Sequence, residues 1–470
     1  MKNNRALKLI IFLFPLICGT AGFVSAGERL LDSMFFCVQM YVLNYPYIPP
    51  NALVEIARWT APFVSAYSVL MIASTVRERL KNIVRSRRPD SVAVYGPEEL
   101  RAPLLSALGK RGVAGGTAPS RAAGHILLWD EEENLRFLER NRDALAGKDV
   151  YLKSSSLPAQ AAAGARLHIF CPEETAARLY WKERCLYEDS LARGHRLSVV
   201  LIGFGRLGSE LLSLGLQNNI FSPEQRIEYH VFGGDPSYLK IHHELNGLRD
   251  AVIFHGEPWE DSLPLLEEAG RVIVLQQEGQ TELLSRMLLA LRVRGIDVFS
   301  AGEAGLGILG GDRINCFTWT EAAFRPENIL SEELFRRAKA LNLRYAHIYQ
   351  GVPETEEALG AEWEKLDTFT RYSNISSADY HEVRLRMLEA MGEPADAGAI
   401  SPGRMELLAE LEHMRWCRYH LLNNWSYGVP EGGKNKDAAR RVHRDLKPYA
   451  ELSEAEKQKD RDAVRVMLEL

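Results

Sequence analysis

Six consecutive residues, Gly203-Phe204-Gly205-Arg206-Leu207-Gly208, set three glycines at the spacing that brings a backbone against a pyrophosphate. The first glycine permits a tight turn, the second admits the phosphates, and the third lets a helix close on a strand. Asp235 follows at the end of the next β-rich run, where a carboxylate holds ribose hydroxyls. It lies somewhat farther along than the usual ~20 residues, and a plain turn aspartate before Pro236 is the competing reading. These seven residues are the candidate contacts for NAD or a related nucleotide. A second set lies near the C-terminus: His413, Arg415, Trp416, Trp425, Tyr427, His443 and Tyr449. Aromatic rings stack planar ligands, and Arg415 and His443, with Arg418 and Lys447, suit phosphate. Core packing competes for Trp416 and Trp425, because small domains bury their tryptophans. No GxxxxGK[ST], HExxH or GxSxG motif occurs, and no Tyr-x-x-x-Lys set follows the glycine turn. No catalytic residue and no metal ligand is therefore assigned, and the chain reads as a binding protein, not an enzyme.

The elements around these residues follow from the apolar pattern. Leu197–Ile202 is a near-continuous apolar run, as expected of a buried parallel strand. The glycine turn follows at once, and Ser209–Leu216 opens a helix whose N-terminal amides face the phosphates. Further strands are expected at 226–232, 251–255, 271–275, 297–300 and 313–317. Gln276-Gln277 ends the strand at 271–275, the fourth of the block, at the ligand crevice. Strands alternating with helices predict a Rossmann-type parallel sheet over 195–330. An earlier block, 90–190, has strands at 91–95, 125–129, 149–152 and 166–170. Its first turn is Gly96-Pro97-Glu98-Glu99, with two carboxylates where a phosphate would sit. It reads as a degenerate Rossmann-like domain with a packing role.

The glycine turn and strand order over about 196–320 resemble the TrkA-type NAD-binding domain of potassium-transport regulators. That resemblance implies ligand binding and gating rather than hydride transfer. Residues 331–400 read as a helical connector. Within 401–470, Leu407–His420 is one helix, where Glu412 and Arg415 share a face, as do His413 and Trp416. With Asn424-Trp425-Ser426-Tyr427-Gly428, His443 and Leu446-Lys447-Pro448-Tyr449, this segment resembles the RyR domain, first named in ryanodine receptors. Asn424 stands where a glycine often precedes the tryptophan.

The N-terminal 89 residues differ in kind. Leu9–Ala26 is uncharged, and about 18 apolar residues just suffice to cross a bilayer. A second apolar run covers Ala52–Ser74. Lys2, Arg5 and Lys8 precede the first run, and Arg77, Arg79, Lys81, Arg85, Arg87 and Arg88 follow the second. Basic flanks favour the cytoplasmic side, so the expectation is a two-pass inner-membrane protein with both termini inside. A cleavable signal peptide over Lys2–Ala26 is the competing reading. The short apolar segment Asp32–Tyr41 between the runs resembles the pore helix of two-helix potassium channels. The glycine-containing filter of that family is absent, and Leu43-Asn44-Tyr45-Pro46 stands in its place. A plain anchor and an altered pore both fit.

Across 470 residues the net charge is −5, which gives no basic field for nucleic acid. The six cysteines form no CxxC pair, as in a reducing compartment. The expectation is thus an α/β protein with two N-terminal transmembrane helices, tandem Rossmann-like domains and a small helical C-terminal domain. Its expected role is nucleotide sensing coupled to potassium flux, in a lipid-embedded homo-oligomer, tetramer first. The rivals are a membrane-tethered NAD(P)-dependent oxidoreductase and a non-conducting scaffold.

Overall fold

The computed structural model describes residues 4–44, 51–156, 166–292, 295–302, 311–330 and 332–470. The chain divides into two compact units, residues 1–92 with 120–123, and residues 93–119 with 124–470. Principal helices are numbered below in chain order.

In the first unit, α1 (Asn4–Ser25), α2 (Leu30–Tyr41) and α3 (Ala52–Arg85) pack together. Phe23, Cys37, Met40, Val54, Ala57 and Ala61 form their shared core. Small residues permit this close approach. A Cβ on Gly19 would sit 2.5 Å from Cys37 Sγ, and one on Gly22 would sit 2.7 Å from Val54 Cγ2. Asn51 caps α3 through Leu53 N at 2.9 Å and donates to Ser25 Oγ at 2.7 Å. Among the described residues one helix, α3, is long and apolar enough to cross a membrane, by length and composition. The apolar part of α1, Ile10–Ser25, is shorter than that standard. Outward-facing Ile10, Phe14, Phe63, Leu70 and Ile72 are exposed, as lipid-facing residues would be. Of Leu43-Asn44-Tyr45-Pro46, expected in place of a selectivity filter, Tyr45 and Pro46 lie outside the described residues. Gly22→Val is expected to cost about 1–3 kcal/mol through overpacking against Val54. A lower SDS-unfolding midpoint of the purified chain in detergent, with a smaller loss for Gly22→Ala, checks this.

The second unit opens with a five-stranded sheet in the order β2-β1-β3-β4-β5. Its strands are β1 (Val92–Tyr95), β2 (Gly112–Ala114), β3 (Gly124–Leu127), β4 (Asp149–Lys153) and β5 (Leu167–Phe170). The three residues of β2 have no pattern long enough to read from sequence. Order 2-1-3-4-5 places the switch point between β1 and β3. There Gly96 has φ +132°, and a Cβ on it would lie 2.7 Å from Leu128 Cβ. Glu98 and Glu99 occupy the first turn of α4 (Glu98–Leu108), so the helix supplies its own anions. On this sheet's flank, α5 (Glu131–Arg140) is capped by Asp130.

The second sheet has six strands: β6 (Arg196–Ile202), β7 (Arg226–Phe232), β8 (Ala251–His255), β9 (Arg271–Val274), β10 (Ile296–Ser300) and β11 (Ile314–Thr318). All neighbours pair parallel, in the order β11-β10-β9-β6-β7-β8. Numbered within the block this is 3-2-1-4-5-6, the order of dinucleotide-binding sheets. On one face lie α6 (Pro172–Glu183) and α7 (Gly205–Asn218), with Trp181, Leu211 and Leu212 in the core. On the other lies α8 (Gln280–Ala290), through Leu283, Leu284 and Met287. Trp181 Nε1 donates to Leu211 O at 2.8 Å, and its ring lies 3.0 Å from where a Cβ on Gly215 would be.

Four longer helices complete the unit: α9 (Glu333–Gln350), α10 (Thr368–Met391), α11 (Pro402–Leu422) and α12 (Glu454–Leu468). Long-range polar contacts tie them to the second sheet and its helices. Arg178 on α6 grips Asp379 on α10 at 2.7 and 2.9 Å. Tyr380 Oη donates to Ile220 O at 2.6 Å. Arg418 on α11 pairs with Asp250 at 2.7 Å and donates to Leu216 O at 2.9 Å.

Candidate ligand sites

At the end of β6, Gly203 adopts φ +81°, and its amide donates to Phe232 O at 2.9 Å. A Cβ there would fall 2.8 Å from the Gln276 amide nitrogen, so the adjacent strand ends require glycine. Gly205 has φ +54° and open space where its Cβ would be. A Cβ on Gly208 would meet the Phe204 ring at 2.7 Å and Leu275 Cδ1 at 3.3 Å. The three glycines thus do what a pyrophosphate cradle asks of them: turn, open approach, and helix-to-strand contact. No side chain caps the N-terminus of α7, as is true also of α4, α6, α8, α9 and α11. Its first amides face the switch point between β6 and β9 unclaimed by a side chain, as an anion site requires.

The other turn residues have their side chains committed. Phe204 packs edge-on against Tyr238 and Phe254, with centroids 5.6 and 5.3 Å apart. Leu207 is part of the core. Arg206 pairs with Glu210 at 2.5 Å. These three would meet a nucleotide through their backbone. Asp235 is exposed, and its two oxygens accept from Ser237 N at 2.9 Å and Ser237 Oγ at 2.6 Å. Those bonds hold the carboxyl below its ordinary value, and an ionised carboxylate has lone pairs left for a ribose. Gln277 Nε2 donates to Leu275 O and Phe299 O, pinning the ends of β9 and β10.

In the C-terminal module, His413, Arg415, Trp416 and His443 line one cavity of about 300 Å³. The other three expected residues do not line it, although the Tyr449 ring lies 5.9 Å from that of His413. Trp425 is buried against Phe369, Tyr427 is exposed on a two-residue strand, and Tyr449 is buried with its hydroxyl on Glu406 Oε1 at 3.0 Å. Sequence reasoning missed Asp460 and the α10 serines, which share no motif with the 413–416 helix.

Charge in this cavity is paired internally. Glu412 accepts from Arg415 Nη2 at 2.7 Å, Arg384 Nη2 at 2.8 Å and Ser377 Oγ at 3.2 Å. Burial opposes its ionisation, but Arg415 and Arg384 outweigh it and hold the carboxyl below its usual value. His413 Nδ1 lies 3.3 Å from Asp460 Oδ2, and its Nε2 lies 2.9 Å from Lys447 O. With an acceptor at each nitrogen, both must donate, so the ring is an imidazolium. Burial pulls its pKa down, but the bonds to Asp460 and Cys417 push it up to about 11. His443 is the opposite case. Burial lowers its pKa, and its Nδ1 accepts from Asp445 N at 3.1 Å, which leaves the proton on Nε2. Trp416 stands between them, near-parallel to His413 at 5.7 Å and edge-on to His443 at 4.8 Å.

This wall suits a planar polar ligand. It does not suit phosphate capture by Arg415 and Arg418, since Glu412 and Asp250 already neutralise them. His413, locked as a cation, is no general base. Its folded pKa lies above the free value of 6.5, so its stabilisation is complete below about pH 6.5 and drains away as pH rises towards 11. In Asp460→Asn, histidine NMR should show His413 titrating at least 2 units lower, on the order of 3 kcal/mol of lost preference for the cation.

Residues 403–470 match the family model described as the RyR domain. No curated protein matches the chain. Among solved structures, the crystal structure of L-tryptophan dehydrogenase from Nostoc punctiforme is similar at 12% identity, over 71% of this chain and 87% of that one, with a TM-score of 0.27. The expectation that the chain is not an enzyme does not stand beside this match, which by itself assigns no activity to the chain. At this TM-score no residue role passes from one chain to the other.

Proposed function

We propose that this chain is a nucleotide-responsive membrane protein. A dinucleotide of the NAD type docks its pyrophosphate on Gly203–Gly208, with its ribose on Asp235. The observation that carries this reading is the uncapped N-terminus of α7, set behind three glycines at the switch point of a 3-2-1-4-5-6 sheet. The turn and strand order support reading this sheet as the TrkA-type domain of potassium-transport regulators. A planar second ligand enters the RyR-domain cavity beside Trp416. The apolar helix α3 anchors a homo-oligomer in the bilayer, and ligand occupancy sets potassium flux.

Proteoliposomes carrying the full chain test this. Dinucleotide-dependent potassium flux is expected for the wild type and is expected to vanish in Gly205→Asp. A wild-type protein that binds no dinucleotide by calorimetry and passes no ligand-dependent flux sinks the proposal.

A further inference from the structure

A larger cavity, about 580 Å³, opens beside α7, and its lining residue Glu210 pairs with Arg206 of the glycine turn at 2.5 Å. It is bounded by α7, the first turns of α10, the end of α11 and the loops after it. The volume falls within the range of small-molecule sites. Its walls have three chemical characters. Glu210 on α7 and Glu174 on α6 form an acidic end, where Tyr372 Oη donates to Glu174 Oε2 at 3.2 Å. Phe369 and Trp425, with centroids 5.1 Å apart, form an aromatic wall. Two exposed cations stand at the rim: Lys436, on a two-residue strand and beside Asp367, and Arg441, whose Nη1 donates to Asn423 O at 3.1 Å.

An acidic end, a flat apolar wall and a cationic rim together select a ligand with hydroxyl donors, a planar ring and an anionic group. We propose that this cavity binds a nucleoside phosphate. Its ribose hydroxyls donate to Glu174 and Glu210, its base lies against Phe369 and Trp425, and its phosphate pairs with Lys436 and Arg441. The charges support this division. Burial, and the repulsion of Glu174, push the Glu210 carboxyl up to about 7. A pair of carboxylates so strained is relieved by hydroxyl donors and aggravated by an anion, so the phosphate belongs at the other end. Glu210, Ser213, Leu214 and Gln217 on the cavity wall lie on one face of the helix that the glycine turn begins. Two ligands sharing α7, one at the glycine turn and one beside Glu210, would have reciprocally coupled affinities. That coupling rests on the dinucleotide reading above; the cavity's own occupancy does not.

Tryptophan fluorescence of the full chain in detergent, titrated with AMP, GMP, CMP, UMP and their diphosphates, tests the site. At least one of these is expected to quench the wild type and Gly205→Asp alike, since the second variant alters only the dinucleotide turn. The quench is expected to disappear in Trp425→Phe. In Lys436→Ala/Arg441→Ala, both side chains being exposed, affinity is expected to fall at least tenfold with the melting temperature unchanged. Three results overturn the proposal: no quench by any of the eight nucleotides in the wild type, a quench that survives in Trp425→Phe and so reports another of the chain's eight tryptophans, or affinity that is unchanged in the double variant. Failure of the dinucleotide reading alone appears differently, as no NAD binding by calorimetry beside an intact nucleotide quench.

Discussion

Gly205→Asp is expected to abolish dinucleotide binding while leaving the chain folded. At φ +54° an L-residue pays about 1–2 kcal/mol, and aspartate is among the residues that tolerate this region best. Nothing lies within 4 Å of the new Cβ, so no packing term is added. That cost is small against the roughly 5–15 kcal/mol that holds a domain together. The carboxylate, however, would occupy the space through which the pyrophosphate approaches the α7 amides. One like-charge contact at about 4 Å costs on the order of 4 kcal/mol near a protein surface, before screening. Allowing for screening, a loss of roughly a hundredfold or more in affinity follows. Gly208→Val is the contrasting variant. Its side chain would drive into the Phe204 ring and Leu275, so binding and melting temperature should fall together. Calorimetry with NAD, paired with thermal melts, separates the two cases. Wild-type affinity in Gly205→Asp would show that the turn does not hold the ligand.

Glu412→Ala is expected to have the largest effect on stability. The carboxylate lies buried between two guanidiniums, Arg415 and Arg384, which are themselves 2% and 0% exposed. Its removal leaves both cations without their counter-ion. Arg384 has no reserve, because its Nε and Nη1 already lack hydrogen-bond partners. Breaking a buried pair in this way costs about 3–5 kcal/mol. Replacing all three charges by apolar residues of similar size, as in Glu412→Leu/Arg415→Met/Arg384→Met, should recover much of that loss, since no orphan charge remains. Denaturant midpoints of the purified proteins provide the measurement. A single variant that loses less than about 1 kcal/mol, or a triple variant less stable than the single, would rule out this account of the cluster.

Much of the fold was legible because its signals are local. The strands at 226–232, 251–255 and 271–275 appear within a residue of where the apolar runs put them. Buried parallel strands announce themselves as continuous apolar runs between turns. The short strand at 112–114 was missed, since three residues carry no periodicity. The membrane segment was legible as composition alone, and among the described residues one helix meets that standard where two were expected. In the C-terminal module, helix spacing correctly put Glu412 beside Arg415 and His413 against Trp416. It also grouped Trp425, Tyr427 and Tyr449 with them, although nothing in their spacing could show which side of the module each one faces.

The sequence by itself determined the glycine turn. A strand, three glycines and a helix within about 25 residues leave the backbone little choice: Gly203 and Gly205 take positive φ, and Gly208 closes on the Phe204 ring four residues earlier. Only the tertiary structure decided the rest of the chemistry. Asp460 makes His413 a cation from 47 residues away, the separation of their numbers. Ser376, Ser377 and Arg384 complete the Glu412–Arg415 cluster from another helix, and Arg418 is consumed by Asp250. Such partners are chosen by which faces of α10, α11 and α12 meet, and burial then fixes which charges survive. No spacing along the chain encodes that meeting, because it depends on packing between elements far apart in sequence.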